Sequence, residues 1–283
     1  MANVREWLSG ENPRGCTYTY CEGAHVSLTE LIECKPEHRY LSKKNIPCYP
    51  EYHFQERNVC HVTEKSGLNG VFRDRGFKRG TDRFLWWGLS ISDESKQKEF
   101  ATSPAFQTDS LYGNFRFTFP LTELLSAYSK QHCNGNSPIL RVLETRLHKK
   151  EINYSVLVHP RYMRHYRKYP RLPVDAEDLC SYREKKMTWR CQSPSNSYEY
   201  SQYVDENGEI CVDKLRRKEY YVWDNVAVAF HMKKDWVLKL GHKKLFDHLS
   251  VCEISSNKLL KEPEMSVQEA EAEVLNLKRA FNL

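Results

Sequence analysis

The sequence predicts an α+β protein with a mixed, largely antiparallel set of sheets flanked by helices. Three observations predict it. The stretch "NFRFTFPL" puts Phe115, Phe117 and Phe119 on one face at a period of two. "ILRVLETRL" and "INYSVLVHP" read as two strands separated only by "HKKE", which predicts a hairpin. "EYYVWDNVAVAFHM", residues 219–232 and rich in β-branched and aromatic side chains, is the strongest single strand signal in the chain.

Taken in order, residues 1–54 mix Cys, Pro and Tyr without clear periodicity and predict an irregular N-terminal segment. "EYHFQERNVCHVT" predicts a strand ending near Thr63. "SGLNGVFRDRG" then predicts a short helix, with Leu68, Val71 and Phe72 on one face and Gly76 as its left-handed stop. "RFLWWGLSIS" predicts a buried strand. "LTELLSAYSKQ" carries Leu121, Leu124, Leu125 and Tyr128 at helical spacing. Residues 170–215 are rich in turn formers and predict a partly structured insertion in a main domain spanning 55–260. "DWVLKL" predicts an extension of the late strand region, and "KKLFDHLSVC" a short helix. Residues 261–283 predict a terminal amphipathic helix. Its signals are a Ser266-x-x-Glu269 capping box, a Val267, Ala270, Val274, Leu277, Phe281 stripe, and Lys278-Arg279 at the end.

The 283 residues carry 43 basic and 37 acidic side chains, a net +6, which is too mild to imply nucleic acid by itself. The distribution says more. "RYMRHYRKYPR" gathers Arg161, Arg164, Arg167, Lys168 and Arg171 among Tyr162, Tyr166 and Tyr169. Two readings follow. The tyrosines form the inner side of a solvated helix, or the cations hold phosphates of RNA while Tyr166 stacks on a base. No run reaches eighteen apolar residues and no apolar leader opens the chain, so a cytoplasmic or nuclear protein without a membrane span is the expectation.

The ten cysteines include no C-x-x-C pair. Cys16, Cys21, His25 and Cys34 are too loosely spaced for the paired ligands of a structural zinc site, so zinc is not expected and reduced thiols are. Phosphate-loop, nucleophile-elbow and H-E-x-x-H motifs are absent from the sequence.

One chain order remains. It runs from a strand with His61-x-Thr63 through a helix closing at Gly76-Phe77, the strand "WGLSIS" and the strand "ILRVLETRL" to a late strand opening at Glu219. This order resembles the ADP-ribosyltransferase superfamily of the diphtheria-toxin and poly(ADP-ribose)-polymerase type, and "EYYVWDNVAVAFH" is similar to that family's Glu-led late strand. The resemblance spans roughly residues 55–240 in scattered motifs. It implies an ADP-ribosyltransferase-like fold, NAD as substrate, and a protein or nucleic-acid acceptor, as either an active mono-ADP-ribosyltransferase or a catalytically degenerate version. Glu219, with Glu151 as second candidate, would stabilise the cationic ribose. His61, oriented by Thr63, would hold the adenosine ribose. Two positions depart from the pattern: Val62 replaces a common glycine, and Ser90 falls where a tyrosine would stack on nicotinamide, a surface that Trp87 or Tyr112 would have to replace. A non-enzymatic RNA- or protein-binding module using residues 161–171 is the alternative. "FATSPAFQTDSLYGNFRFTFPL" and "EYYVWDNVAVAFH" also resemble a vertebrate protein family well represented in fish, a likeness that brings no activity with it.

Overall fold

The computed structural model describes residues 6–11, 17–23, 53–56, 58–90, 109–148, 151–172, 180–183, 186–190, 202–204, 210–212, 221–256 and 258–282. The strands are β1 Leu8–Glu11, β2 Thr17–Glu22, β3 His53–Glu56, β4 Asn58–Thr63, β5 Gly76–Phe77, β6 Phe84–Ser90, β7 Phe115–Pro120 and β8 Ile139–His148. They continue as β9 Glu151–His159, β10 Cys180–Arg183, β11 Lys186–Arg190, β12 Gln202–Val204, β13 Ile210–Val212, β14 Tyr221–His231, β15 Leu238–Lys239 and β16 Leu249–Val251. The helices are α1 Lys65–Asp74, α2 Leu121–His132, α3 His242–Asp247 and α4 Val267–Ala280.

Nine strands form one open sheet in the order β1-β2-β8-β9-β14-β6-β4-β7-β16. Every neighbouring pair is antiparallel except β9 and β14. The protein is therefore mixed α+β, with a mostly antiparallel sheet and few helices. The expected hairpin is present, with His148 opposite Glu151 across its closing end.

Burial follows from the two-residue period of the strands. Phe115, Phe117 and Phe119 are fully buried beneath α1 and α2, whose Leu68, Phe72, Leu124 and Tyr128 join the same core. At about 2–3 kcal/mol for each large side chain removed from water, this aromatic layer dominates the packing of that face. Helix α4 docks there as well. Ala270 is buried, and the Phe281 ring lies 5.8 Å from Phe72 and 4.0 Å from His242. Its expected capping box is formed, with the Ser266 hydroxyl accepting from the Glu269 amide and the Glu269 carboxylate accepting from the Ser266 amide.

Several local expectations are corrected. The N-terminal segment is not irregular throughout, because β1 and β2 extend the large sheet along β8. Helix α1 ends on Arg75, which itself takes the left-handed conformation at φ 57°. Gly76 serves a different purpose: a Cβ there would come within 2.1 Å of the Leu238 carbonyl oxygen, where β5 meets β15. The "DWVLKL" stretch thus pairs with the end of the α1 segment instead of prolonging β14. Within "KKLFDHLSVC" the helix stops at Asp247, and Leu249–Val251 turns into an edge strand on β7.

Candidate functional site

His61 sits on the central strand β4 between β6 and β7. Residues directly opposite in an antiparallel pair point to the same face. His61 opposite Phe117 and Thr63 opposite Phe115 therefore face the aromatic core. The His61 ring packs 5.4 Å from both Phe77 and Trp87, and its Nδ1 lies 2.9 Å from the Trp86 carbonyl. A carbonyl only accepts, so Nδ1 carries the proton and Nε2 keeps its lone pair. Burial holds this imidazole below its ordinary pKa, against the opposing pull of the Trp86 carbonyl, and keeps it neutral. Thr63 rests on the first turn of α1, where a Cβ on Gly67 would meet its Oγ1 at 1.8 Å.

Ser90 does not join His61. Its partner on β4 is Asn58, one face away from Val59 and His61, so Ser90 lies on the other side of the sheet. Of the two possible replacements for the missing tyrosine, Trp87 lies beside His61 and is only 1% exposed. Tyr112, the other possible replacement for the missing tyrosine, is an exposed ring. Glu151 opens β9 opposite Tyr221, while the level of His61 corresponds to Val156 on β9 and Val228 on β14. Five residues of rise and three strand spacings put Glu151 on the order of 20 Å from His61. Glu219 lies outside the described residues.

The second face carries a different cluster. Residues Arg164–Lys168 form a 3-10 turn in an arm that crosses the sheet, not the expected helix. Three residues per turn send Met163, Tyr166 and Tyr169 inward, where all are buried. Tyr162, expected with them on an α-helical stripe, is instead 51% exposed. Tyr166 is 2% exposed and has no face open to a base, which corrects its proposed stacking role.

Beneath the arm, two parallel strands each end in a histidine, His159 on β9 and His231 on β14. Arg141 Nε donates to His159 Nε2 at 2.9 Å, and His159 Nδ1 donates to the Pro160 carbonyl at 2.8 Å. The Tyr166 hydroxyl is hydrogen-bonded to His231 Nδ1 at 2.6 Å, and the Tyr128 hydroxyl donates to the His231 carbonyl at 2.6 Å. Arg141 also donates to the Tyr169 carbonyl, which ties β8 to the arm. Both imidazoles are pushed down to about 4. Burial is the main cause; Arg141 and His165 add to it at His159, and His165, Arg83, His159 and Lys233 at His231. Single-strand reasoning missed this cluster. The available signal was that "VLVHP" and "AVAFHM" both close an apolar run with His.

Among the described residues no group of three or more His, Cys, Asp or Glu is arranged to hold a metal ion. Cys21 is buried on β2, and Cys16, His25 and Cys34 lie outside the described residues. No helix among the described residues is long and apolar enough to cross a membrane. No protein-family model, no curated protein and no solved structure matches the chain.

Proposed function

We propose that the chain is an ADP-ribosyltransferase-like domain that takes NAD as its substrate. The observation that supports this reading is the placement of the motif strands. The His-x-Thr strand β4, the "WGLS" strand β6 and the late strand β14, which follows Glu219, are consecutive neighbours in the sheet, although more than 150 residues separate the first from the last. Motifs scattered by chance have no reason to fold into adjacent strands. His61 suits a ribose hydroxyl, since its unprotonated Nε2 accepts a hydrogen bond without the imidazole becoming charged. Cleavage of the nicotinamide–ribose bond places positive charge on the sugar, and the Glu219 carboxylate is the group assigned to stabilise it. The sheet register keeps Ser90 and Glu151 away from His61, so neither is assigned a part in this reading.

The test is release of nicotinamide from NAD by the purified chain, with NAD binding followed in parallel by titration calorimetry. Binding with release that is lost in Glu219→Gln and kept in Glu151→Gln is the expected result. Binding without release identifies a domain that keeps the pocket and not the transfer. Absence of both ends the proposal.

A further inference from the structure

We infer that the arm, together with the strand ends beneath it, forms a surface that binds the phosphate backbone of single-stranded nucleic acid. The inference is independent of the NAD reading, because none of its residues is assigned a part in binding or cleaving NAD. Sequence alone offered one basic stretch; the fold adds cations from other elements. Arg161, Arg164, Arg167 and Lys168 are exposed on the arm, and the exposed Arg83, before β6, lies beside the exposed Lys233, after β14, since the Met232 amide donates to the Arg83 carbonyl at 2.9 Å. From Arg161 to Leu172 the sequence has no acidic residue. Glu22 reaches in from β2 and meets Lys168 at 3.3 Å.

Buried groups below the arm register this accumulation of charge. Arg141 is held below its ordinary value by burial and then by Arg171 and Arg167. His231 feels His165, Arg83 and Lys233 from three separate segments. Like charges brought together from several elements repel one another, and a bound polyanion relieves that repulsion.

Charge alone would equally suit an acidic peptide or an anionic lipid surface. Tyr162 decides for nucleic acid. Its ring is half exposed among the cations, with the Lys233 ammonium 5.9 Å from its centroid and its hydroxyl donating to the His132 carbonyl at 3.3 Å. Lys233 also lies 5.0 Å from the Trp236 ring, which in turn stacks on His132 at 4.3 Å. A flat aromatic face anchored beside phosphate-binding cations is the arrangement on which an unpaired base stacks. Paired bases present no free face, so the strand is single.

The experiment titrates the full chain into a fluorescein-labelled oligouridine and reads anisotropy. Phosphate contacts by the four exposed cations of the arm itself, Arg161, Arg164, Arg167 and Lys168, predict a log–log salt slope near −2.8, so affinity falls roughly 50-fold between about 50 and 200 mM salt. Arg164→Ala/Arg167→Ala/Lys168→Ala should reduce the slope to about −0.7 with an unchanged melting temperature, since all three side chains are exposed. If that variant melts early, Arg164→Gln alone should still reduce the slope by about 0.7. Tyr162→Ala should weaken binding about tenfold without altering the slope. No anisotropy change at low salt, wild-type affinity in the triple variant, or equal competition by polyglutamate and unlabelled oligouridine would each overturn the proposal.

Discussion

His61, midway along β4, and His231, at the end of β14, are both neutral, mostly enclosed imidazoles, yet the two faces they occupy are built differently. His61 lies among Phe77, Trp87 and the buried phenylalanines of β7, with one carbonyl holding its ring. His231 lies in a hydrogen-bonded polar layer with Tyr166, beside His159 and Arg141, under an arm whose outer side is cationic. The first face is held by apolar area and tolerates few changes of volume. Stability on the second depends on protonation state, because burial holds its two imidazoles neutral and charging them costs free energy.

Removing volume from the aromatic face should have the largest effect of any single side chain. Phe117 is fully buried, with its ring 5.0 Å from Phe77 and 6.3 Å from Phe72. Phe117→Ala is expected to cost about 3–5 kcal/mol in urea unfolding at neutral pH. A loss below about 1 kcal/mol would mean that the two faces contribute alike, and the contrast would fail.

Acid should act next, and chiefly on the second face. His159 and His231 are pushed down to about 4 when folded, against an ordinary value of 6.5. Between those values the unfolded chain binds more protons, so stability is full above about pH 6.5 and falls as the pH drops towards about 4. The loss is up to about 3 kcal/mol for each group. His61 is depressed in the same direction and adds with the same sign. Unfolding free energies across this range should therefore decline, and His159→Gln/His231→Gln should flatten most of the decline. A decline unchanged in that double variant would assign the acid response elsewhere.

Tyr166→Phe gives the smallest and most selective effect. It keeps the buried ring and removes the hydroxyl that is hydrogen-bonded to His231 Nδ1. A cost of about 1–2 kcal/mol is expected from the buried nitrogen left without its partner. A thermal melt showing no change would mean that the hydroxyl contributes nothing beyond its ring.

The aromatic face was largely legible in the sequence. The alternation of Phe115, Phe117 and Phe119 predicted its strand, the spacing of Leu68, Val71 and Phe72 its first helix, and Ser266 with Glu269 the start of α4. Each signal is carried by residues within one or two turns of one another. The arm was misread because spacings of three and four suit an α-helix, whereas the chain takes a 3-10 turn that buries every third residue and leaves Tyr162 outside. Gly76 was misread for a related reason: its need for space comes from Leu238, 162 positions away.

By itself the sequence determined the period of each strong element, the hairpin at His148–Glu151 and which side chains were apolar enough to be buried, because these depend on neighbours along the chain. Only the tertiary structure decided which face each residue shares and with whom. A strand's register is set by partners far away in sequence, and one position of register moves a side chain to the other side of the sheet. That is why Ser90 parts from His61, and why Arg83, Arg141 and Lys233 meet around two histidines that no local pattern had joined.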